Sequence, residues 1–274
     1  MAGYRPAWVP DEVDIERPSA ARMYDYYLGG SHNLAADRAM ARQTMQVWPD
    51  VRFVARANRA YLRRAVTYVA EMGVEQFLDL GSGIPTAGNV HEVARAVRPA
   101  ARTVYVDVDP VAVAHSAALL SGVAGTGVLH ADMRDPQAVL DDAIVTGLLD
   151  FSRPIAILMI SVLPFVIDDD HPAQIVADYR DATVPGSYLV ISHGTDEYMA
   201  PTLQAAWEVY ERGGYSVTTR SRAQILALMD GYELVEPGLV DTIAWRPDPV
   251  LAGADPLGGD VARYSQLAAV GRRL

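Results

Sequence analysis

The sequence contains neither cysteine nor lysine, and each absence excludes a kind of chemistry. Without cysteine, the chain has no disulfide, no thiolate nucleophile and no thiolate site for zinc or an iron–sulfur cluster. All 23 basic residues are arginine, which removes the lysine of P-loop nucleotide sites, of pyridoxal Schiff bases and of protein kinases. Several large enzyme classes are therefore excluded before any motif is considered.

Positive charge and long apolar runs are also scarce. With 34 acidic against 23 basic residues the net charge is −11, so we expect no broad basic surface for nucleic acid or anionic lipid. The longest apolar run, residues 155–167, covers about 13 positions and is too short to cross a bilayer. The N-terminal segment lacks the basic start and apolar stretch of a secretory signal. These features predict a cytoplasmic protein that binds neither nucleic acid nor membranes.

The pattern of the chain from residue 76 onward predicts an α/β fold. Of the 274 residues, 50% are hydrophobic and 21% are charged, which is enough apolar material for a large core. Short β-rich runs alternate with helix-length segments, as in a parallel sheet covered by helices on both faces. The last two runs have a connection too short for a crossover helix, so we expect them to form an antiparallel hairpin. The predicted strands are residues 76–80, 103–107, 127–131, 155–161, 187–192, 232–236 and 240–245.

The two ends of the chain differ from this central pattern. Helical periodicity without any strand covers residues 20–27, 34–48 and 53–72. We therefore predict an N-terminal helical cap at 1–72, a Rossmann-like core at 73–248 and a tail at 249–274 that packs on the core. The tail has only a weak helix pattern near 261–270. The predicted fold is a Rossmann-like, seven-stranded, mostly parallel sheet whose last strand is antiparallel, with helices on both faces.

A glycine-rich turn joins the first predicted strand to a helix. In FLDLGSGIPT, residues 77–86, Gly81 and Gly83 permit a tight turn that aims backbone amides at a ligand. The third glycine of the dinucleotide fingerprint is replaced by Thr86, and Asp79 would repel a pyrophosphate. This disfavours a nicotinamide oxidoreductase. S-adenosylmethionine (SAM), which carries an ammonium and a sulfonium, suits the carboxylate better.

Acidic residues follow the next two predicted strands. Asp107 lies 24 positions after Gly83, close to the spacing at which an acid binds ribose hydroxyls. Asp109 is the alternative, and one of the two is expected to cap the helix that starts at Pro110. After the third strand, Asp132 can accept from an adenine amine or cap a turn, and the Met133 amide can donate to a ring nitrogen. All lie at the carboxyl edge of a parallel sheet, where ligands bind.

On these residues the sequence resembles the class I SAM-dependent methyltransferases over about residues 75–246. More narrowly, it resembles the actinobacterial S-adenosyl methyltransferase family, formerly a domain of unknown function. Segments that carry the narrower resemblance are ERPSAARMYDYYLGGSHNLAADRAMA at 16–41, FLDLGSGIPTAGNVHEVA at 77–94, VYVDVDP at 104–110, PGSYLVISHGT at 185–195 and YELVEPGLVDTIAWRPD at 232–248.

The resemblance implies a SAM-dependent methyltransferase that acts on an acceptor, which we expect to be a small molecule. It also implies that Ser161 lines the floor of the site and that Tyr24, Gly29 and Gly30 help to close it. Gly29 and Gly30 could equally form a helix C-cap. The cofactor-binding residues implied in this way are Asp79, Gly81, Ser82, Gly83, Asp107, Val108, Asp132, Met133, Ser161, Tyr24 and Gly30.

One departure from the family concerns the segment after the fourth strand. The family tends to carry histidine in a Val-Leu-His-Phe pattern, whereas this chain has Pro164, which cannot act as a base. The main candidates for a catalytic base are His193, Tyr27 and His32; Asp196, Glu197 and Tyr198 also follow the fifth strand, where they could instead cap the next helix. The acid run at 168–171 is expected to be a solvated loop and helix cap, so no metal site is predicted. The alternative function is a SAM sensor or a catalytically silent relative, since fold alone does not establish activity.

Overall fold

The computed structural model describes residues 5–6, 9–11, 13–85, 88–198, 200–247 and 256–274. Thr86 and the predicted domain limit at 248–249 lie outside these ranges. The strands are β1 (Gln76–Leu80), β2 (Arg102–Asp107), β3 (Thr126–His130), β4 (Ala156–Ile160), β5 (Tyr188–Gly194), β6 (Tyr232–Leu234), β7 (Val240–Asp241) and β8 (Gln266–Arg273). The helices are α1 (Ala20–Leu28), α2 (Ala35–Val47), α3 (Val51–Glu71), α4 (Val90–Val97), α5 (Pro110–Leu119), α6 (Pro136–Leu140), α7 (Ala143–Leu148), α8 (Pro172–Asp181), α9 (Pro201–Arg212), α10 (Arg222–Leu228) and α11 (Val261–Tyr264).

The strands form one mixed sheet in the order β3-β2-β1-β4-β5-β8-β6, with β7 also paired to β8. The strands from β1 to β5 are mutually parallel, and β8 runs antiparallel to β5, β6 and β7. The predicted α/β class, with its mostly parallel sheet and antiparallel C-terminal part, is confirmed. The order reverses between β1 and β4, and at such a switch point the loops diverge and leave room for a ligand.

The C-terminal part of the sheet differs from the prediction in two respects. The helix expected near 261–270 is wrong, because α11 ends at Tyr264 and residues 266–273 form β8. The expected hairpin is also wrong, since β6 and β7 pair with β8 rather than with each other, through Leu234 opposite Gly271 and Val240 opposite Ala268. The sheet therefore has eight strands among the described residues, one more than predicted.

Alternation along the strands divides the core between the two faces of the sheet. In β1, Leu78 and Leu80 point to one face, where they pack with helix residues such as Ile175 of α8. Phe77 points to the other face and packs with Leu62 of α3. Because β1 is buried along its whole length, each apolar side chain contributes about 1.5–3 kcal/mol to folding. Asp79 shares the α3 face, since it follows Phe77 by two positions.

The predicted N-terminal helices are present as α1, α2 and α3, but they have different partners. Helix α3 packs on the sheet against β4, β5 and β8. Helices α1 and α2 form a separate apolar cluster with α9 and the first half of α3, which includes Met23, Met40 and Val54. The cap 1–72 and the other domain limits stay predictions. No helix in the described ranges has the length and apolar character needed to cross a membrane.

One buried arginine joins the N-terminal helices to the carboxyl edge of the sheet. The Arg22 Nε donates to Asp37 Oδ2 at 2.7 Å, and its Nη1 lies 3.2 Å from Asp109 Oδ2. Arg22 is only 3% exposed, and a buried charge of this kind requires such partners. Helix α1 is thereby held beside the N-terminus of α5, next to the loop after β2.

Candidate functional site

The turn after β1 contains two glycines with different constraints. Both have left-handed backbone conformations, with φ of +70° at Gly81 and +66° at Gly83. A Cβ on Gly81 would lie 2.3 Å from Cγ2 of Val162, whereas one on Gly83 would meet no atom of the described residues within 4 Å. Gly81 is therefore required by packing against the segment after β4. Gly83 borders open space, as expected where a ligand approaches the backbone.

Asp107 is positioned against this turn, while Asp109 serves the helix that follows. The Asp107 carboxylate accepts from the Gly83 amide at 2.6 Å and from the Asp109 amide at 2.8 Å, and burial raises its pKa to about 6. Asp109 accepts from the amides of Val111 and Ala112 at 2.8 and 3.1 Å, which makes it the N-cap of α5. Of the two alternatives, Asp107 is the one left facing the glycine turn; its ribose contact stays a prediction.

Asp79 is a buried carboxylate near the end of β1. It is 4% exposed, and no side chain or amide in the described ranges bonds to its oxygens. Burial raises its pKa to about 7, while the Arg59 guanidinium acts in the opposite direction and the Asp107 carboxylate raises it further. An uncompensated carboxylate in such a place is costly. Its position fits a cationic group such as the ammonium of SAM.

The loop after β3 contains the two residues predicted to bind adenine, Asp132 and Met133. Among the residues that the structure describes, no acceptor bonds the Met133 amide, while the Met133 carbonyl accepts from the Tyr179 hydroxyl at 3.0 Å. Arg134 holds Asp132 through a 2.6 Å ion pair. Partial burial raises the pKa of Asp132, but the hydrogen bonds from Arg134 outweigh this and lower it overall. Val108, the residue after β2, is 63% exposed. The predicted adenine contacts of Asp132 and Met133 stay predictions.

A chain of hydrogen bonds links Ser161, at the end of β4, to the N-terminal helices. Gln266 Nε2 donates to Ser161 Oγ, which lies 3.3 Å from Ser192 Oγ. Ser192 donates to Asn58 Oδ1 at 2.7 Å, and Asn58 Nδ2 donates to the Tyr24 hydroxyl at 3.0 Å. Ser161 has a positive φ of 55°, a strained conformation that such bonds can maintain. Tyr24 therefore reaches the predicted floor of the site through Asn58.

The Gly29-Gly30 pair forms the end of α1. Gly29 has a φ of +88° and is the C-cap. A Cβ on Gly30 would lie 1.9 Å from Asp25 Oδ1. The same carboxylate accepts from the His32 amide at 2.9 Å and from Asn33 Nδ2 at 2.8 Å. The helix-cap alternative accounts for both glycines; a role of Gly30 in closing the site stays a prediction.

Two of the three predicted bases are buried and hydrogen-bonded within the protein, and a catalytic role for either stays a prediction. His193 is fully buried; its Nδ1–H donates to the Gly194 carbonyl at 2.7 Å and its Nε2 accepts from Arg220 at 2.8 Å. Burial lowers its pKa to about 4. Tyr27 is 2% exposed, lies 3.3 Å from the Tyr210 hydroxyl, and has its pKa raised by burial to about 12. Burial shields both side chains from solvent in this arrangement.

His32, the third predicted base, lies between the α1–α2 connection and α5. Its ring is 3.6 Å from the ring of His115, measured between centroids. Burial lowers the pKa of His115, and the neighbouring His32 lowers it further. A catalytic role for His32 stays a prediction.

Arg220 was not among the predicted residues, although it fixes the segment that follows β4. Its guanidinium donates to the carbonyls of Leu163 and Val166 at 3.1 and 2.8 Å and to Asp168 Oδ1 at 2.7 Å. Pro164 lies in the same segment, and its carbonyl accepts from the Thr218 amide at 2.8 Å. No signal in the sequence marks Arg220, because its partners are carbonyls brought together only by the fold.

A cavity of about 330 Å³ lies beyond the carboxyl end of β5. Thr195, Asp196, Leu203, Trp207 and Thr219 are among the residues that line it. The indole Nε1 of Trp207 is buried without a hydrogen-bond partner in the described part of the chain. Buried polar atoms are normally paired, so within the described part of the chain this donor is unsatisfied.

Comparison with known proteins gives a consistent result. Residues 6–273 match the S-adenosyl methyltransferase family. A crystal structure from Thermobifida fusca YX, of a protein assigned to the methyltransferases, is 40% identical, with a TM-score of 0.90 over 98% of this chain and 99% of that chain. A DUF574 family protein from Streptomyces avermitilis MA-4680 is 36% identical, with a TM-score of 0.91 over 95% of this chain and 99% of that chain. At 10% identity, the plantazolicin methyltransferase BpumL, solved with SAH, shares the fold, with a TM-score of 0.51 over 93% and 95% of the two chains. Among curated proteins, none is significantly similar to this chain.

Proposed function

Because the chain belongs to the S-adenosyl methyltransferase family, whose methyl donor is SAM, we propose that it methylates a small molecule held beyond the carboxyl end of β5. The observation that carries this proposal is the pairing of two features at one edge of the sheet. One is the buried Asp79, which has no hydrogen-bond partner in the described ranges, and the other is the cavity next to Trp207. The first suits the cofactor and the second suits an acceptor.

The residues around the glycine turn are proposed to hold the cofactor. When bound, SAM supplies a methyl group that its sulfonium makes electrophilic. Asp79 would hold the ammonium, and Asp107, whose oxygens keep spare lone pairs beside the Gly83 amide, would accept from the ribose hydroxyls. The Met133 amide would donate to the adenine ring. The open space beside Gly83 leaves room for the ligand to lie against the backbone.

The cavity has the size and lining of a small-molecule site. Its volume, about 330 Å³, falls in the range of ligand pockets. No arginine is among the described lining residues, which argues against a polyanionic acceptor. Trp207 offers an apolar ring to the acceptor, and Asp196 is the carboxylate in the described lining that would take a proton from it. The chain then has chiefly to position the nucleophile and exclude water.

A cavity-filling variant tests this proposal. Thr219→Tyr should fill the cavity and lower transfer of labelled methyl from SAM to an acceptor found by screening hydroxyl and amine compounds, while calorimetric binding of SAH is unchanged. Thr146→Tyr makes the same change at an exposed threonine on α7 and should leave both unchanged. If Thr219→Tyr transferred methyl as efficiently as the wild type, the acceptor would bind elsewhere.

A second candidate function is SAM binding without methyl transfer. The observation that favours it is the inaccessibility of His193 and Tyr27, together with Pro164 in place of a histidine. Binding of SAM without transfer to any screened acceptor class would support this candidate. For the location of the protein we propose the cytoplasm.

A further inference from the structure

Arg59, on α3, lies on the side of the cofactor site that faces Asp79. The first half of α3 extends over the carboxyl edge of the sheet, because Asn58 accepts a hydrogen bond from Ser192 near the end of β5 at 2.7 Å. One turn later, Arg63 borders the segment that follows the glycine turn, since a Cβ on Gly88 would lie 3.0 Å from Arg63 Cδ. Residues four apart share a helix face. Arg59 is thereby placed one turn from Arg63, toward the carboxyl end of β1.

Asp79 points toward α3 from the opposite side. Its neighbour two positions earlier, Phe77, packs with Tyr61 and Leu62 of that helix, and alternate residues of a strand share a face. The guanidinium of Arg59 and the carboxylate of Asp79 therefore face each other near the same edge of the sheet. Their mutual influence agrees with this placement, because Arg59 acts to lower the pKa of Asp79.

The two opposite charges do not satisfy each other. Arg59 is partly buried, and within the described ranges its side chain has no hydrogen bond or ion pair. Asp79 is 4% exposed and likewise has none. A carboxylate as deeply buried as Asp79 is normally paired, and the partly buried Arg59 keeps its donors open to a ligand. A guanidinium and a carboxylate that face one another without contact fit a ligand that presents a carboxylate to one and an ammonium to the other.

We propose that Arg59 binds the α-carboxylate of the SAM methionine moiety, opposite Asp79 at its ammonium. This inference rests on the cofactor site proposed above. Arginine is well suited to the task, since its planar guanidinium can make two parallel hydrogen bonds to a carboxylate. The pair would recognise the amino-acid end of the cofactor as a zwitterion.

The test compares SAM with decarboxylated SAM, which keeps the ammonium and sulfonium but has no carboxylate. Both are titrated calorimetrically into wild type, Arg59→Gln and Arg56→Gln. The wild type should prefer SAM. Arg59→Gln should weaken SAM binding about tenfold to a hundredfold, as expected for loss of a charged hydrogen bond, and leave decarboxylated SAM bound as well as before. Arg56→Gln removes the same charge from an exposed position of α3 and should behave as the wild type.

Three outcomes would overturn the inference, and they can be distinguished. If Arg59→Gln binds SAM as the wild type does, the carboxylate is held elsewhere, and the cofactor site itself stands. If Arg59→Gln loses both ligands equally, the role of Arg59 is structural; melting curves and the charge-conserving Arg59→Lys, expected to recover part of the SAM preference, separate this case from misfolding. If the wild type binds neither ligand, the proposed cofactor site fails with it.

Discussion

Replacing Asp79 by asparagine should make the protein without ligand more stable while weakening its hold on SAM. The buried carboxylate has no hydrogen-bond partner in the described ranges, so its ionised form destabilises the folded state. Asparagine has nearly the same shape and carries no charge. The stabilisation and the loss of binding arise from the same oxygen atoms, which is why opposite signs are expected.

The size of the stabilisation follows from the pKa. Burial raises the pKa of Asp79 from 3.8 to about 7, and each unit corresponds to about 1.36 kcal/mol, so the upper value is about 4 kcal/mol. Below about pH 4 the carboxyl group is protonated in both the folded and the unfolded state, and Asp79 no longer destabilises the fold. As pH rises from about 4 to about 7, the unfolded chain ionises first and the wild type loses stability; above about 7 the loss is complete.

Melting curves of wild type and Asp79→Asn at pH values from 4 to 8 check this prediction. At about 2–4 °C per kcal/mol, Asp79→Asn should melt about 10 °C higher at pH 8 and at nearly the same temperature at pH 4. Asp169→Asn, the same change at an exposed residue, should produce no such gap. A gap of equal size at both pH values, or an Asp79→Asn variant that melts lower at pH 8, would refute the reasoning.

Three further predictions concern the residues around the turn and β5. Asp107→Ala should weaken SAM binding by about 1–3 kcal/mol, whereas Asp109→Ala should mainly lower the melting temperature by removing a helix cap; calorimetry that gave the reverse would show that the two assignments are exchanged. Gly81→Ala should lower the free energy of unfolding by about 1–2 kcal/mol because of its left-handed backbone, and by about 1–3 kcal/mol more because the new Cβ meets the segment after β4. Gly83→Ala should show only the backbone loss. Equal losses for the two variants in denaturant titrations would contradict the difference in packing between the two glycines. His193→Gln should lose less stability than the wild type as pH falls from about 6.5 to about 4. In the wild type, burial lowers the pKa of His193 to about 4, so over this range the histidine is protonated in the unfolded chain but not in the folded one. Identical dependence of stability on pH in the two proteins would contradict this prediction.

Much of the parallel sheet could be predicted because its sequence signals are strong. The run IAILMI is apolar at every position, as in a strand buried on both faces, and β4 at Ala156–Ile160 is buried up to its last residue. β1 was predicted with its observed limits. The N-terminal helices follow from apolar residues repeated at helical spacing, and a helix of 21 residues such as α3 gives that pattern many repeats.

β8 could not be predicted, for a physical reason. Its sequence QLAAVGRR contains alanine, glutamine, glycine and arginine, which have little intrinsic preference for strands. It forms a strand because it lies between two others. Its Val270 is opposite Val190 of β5, and its Arg272 is opposite Glu233 of β6. Pairing with strands on both sides outweighs the local preference of these residues, and a short segment of sequence contains no information about such distant partners.

Some residues of the candidate site could be predicted from the sequence and others could not, for the same reason as the strands. Asp79, Asp107 and Met133 could be singled out because each lies at or near the end of a strand, and strand ends were predictable. Gln266 and Arg220 could not, because their importance comes from contacts with segments more than 50 residues away, to Ser161 and to the carbonyls after β4. Their neighbours in sequence give no hint of these contacts.

The position of β8 has a consequence for how the protein is made. β8 lies between β5 and β6 in the sheet but follows both in the chain. While the polypeptide is being synthesised, the edge of β5, whose residues are all buried in the finished fold, has no partner until residues 266–273 leave the ribosome. Such unpaired apolar edges are prone to wrong association. The half of the sheet beyond β5 must therefore be completed after translation of nearly the whole domain.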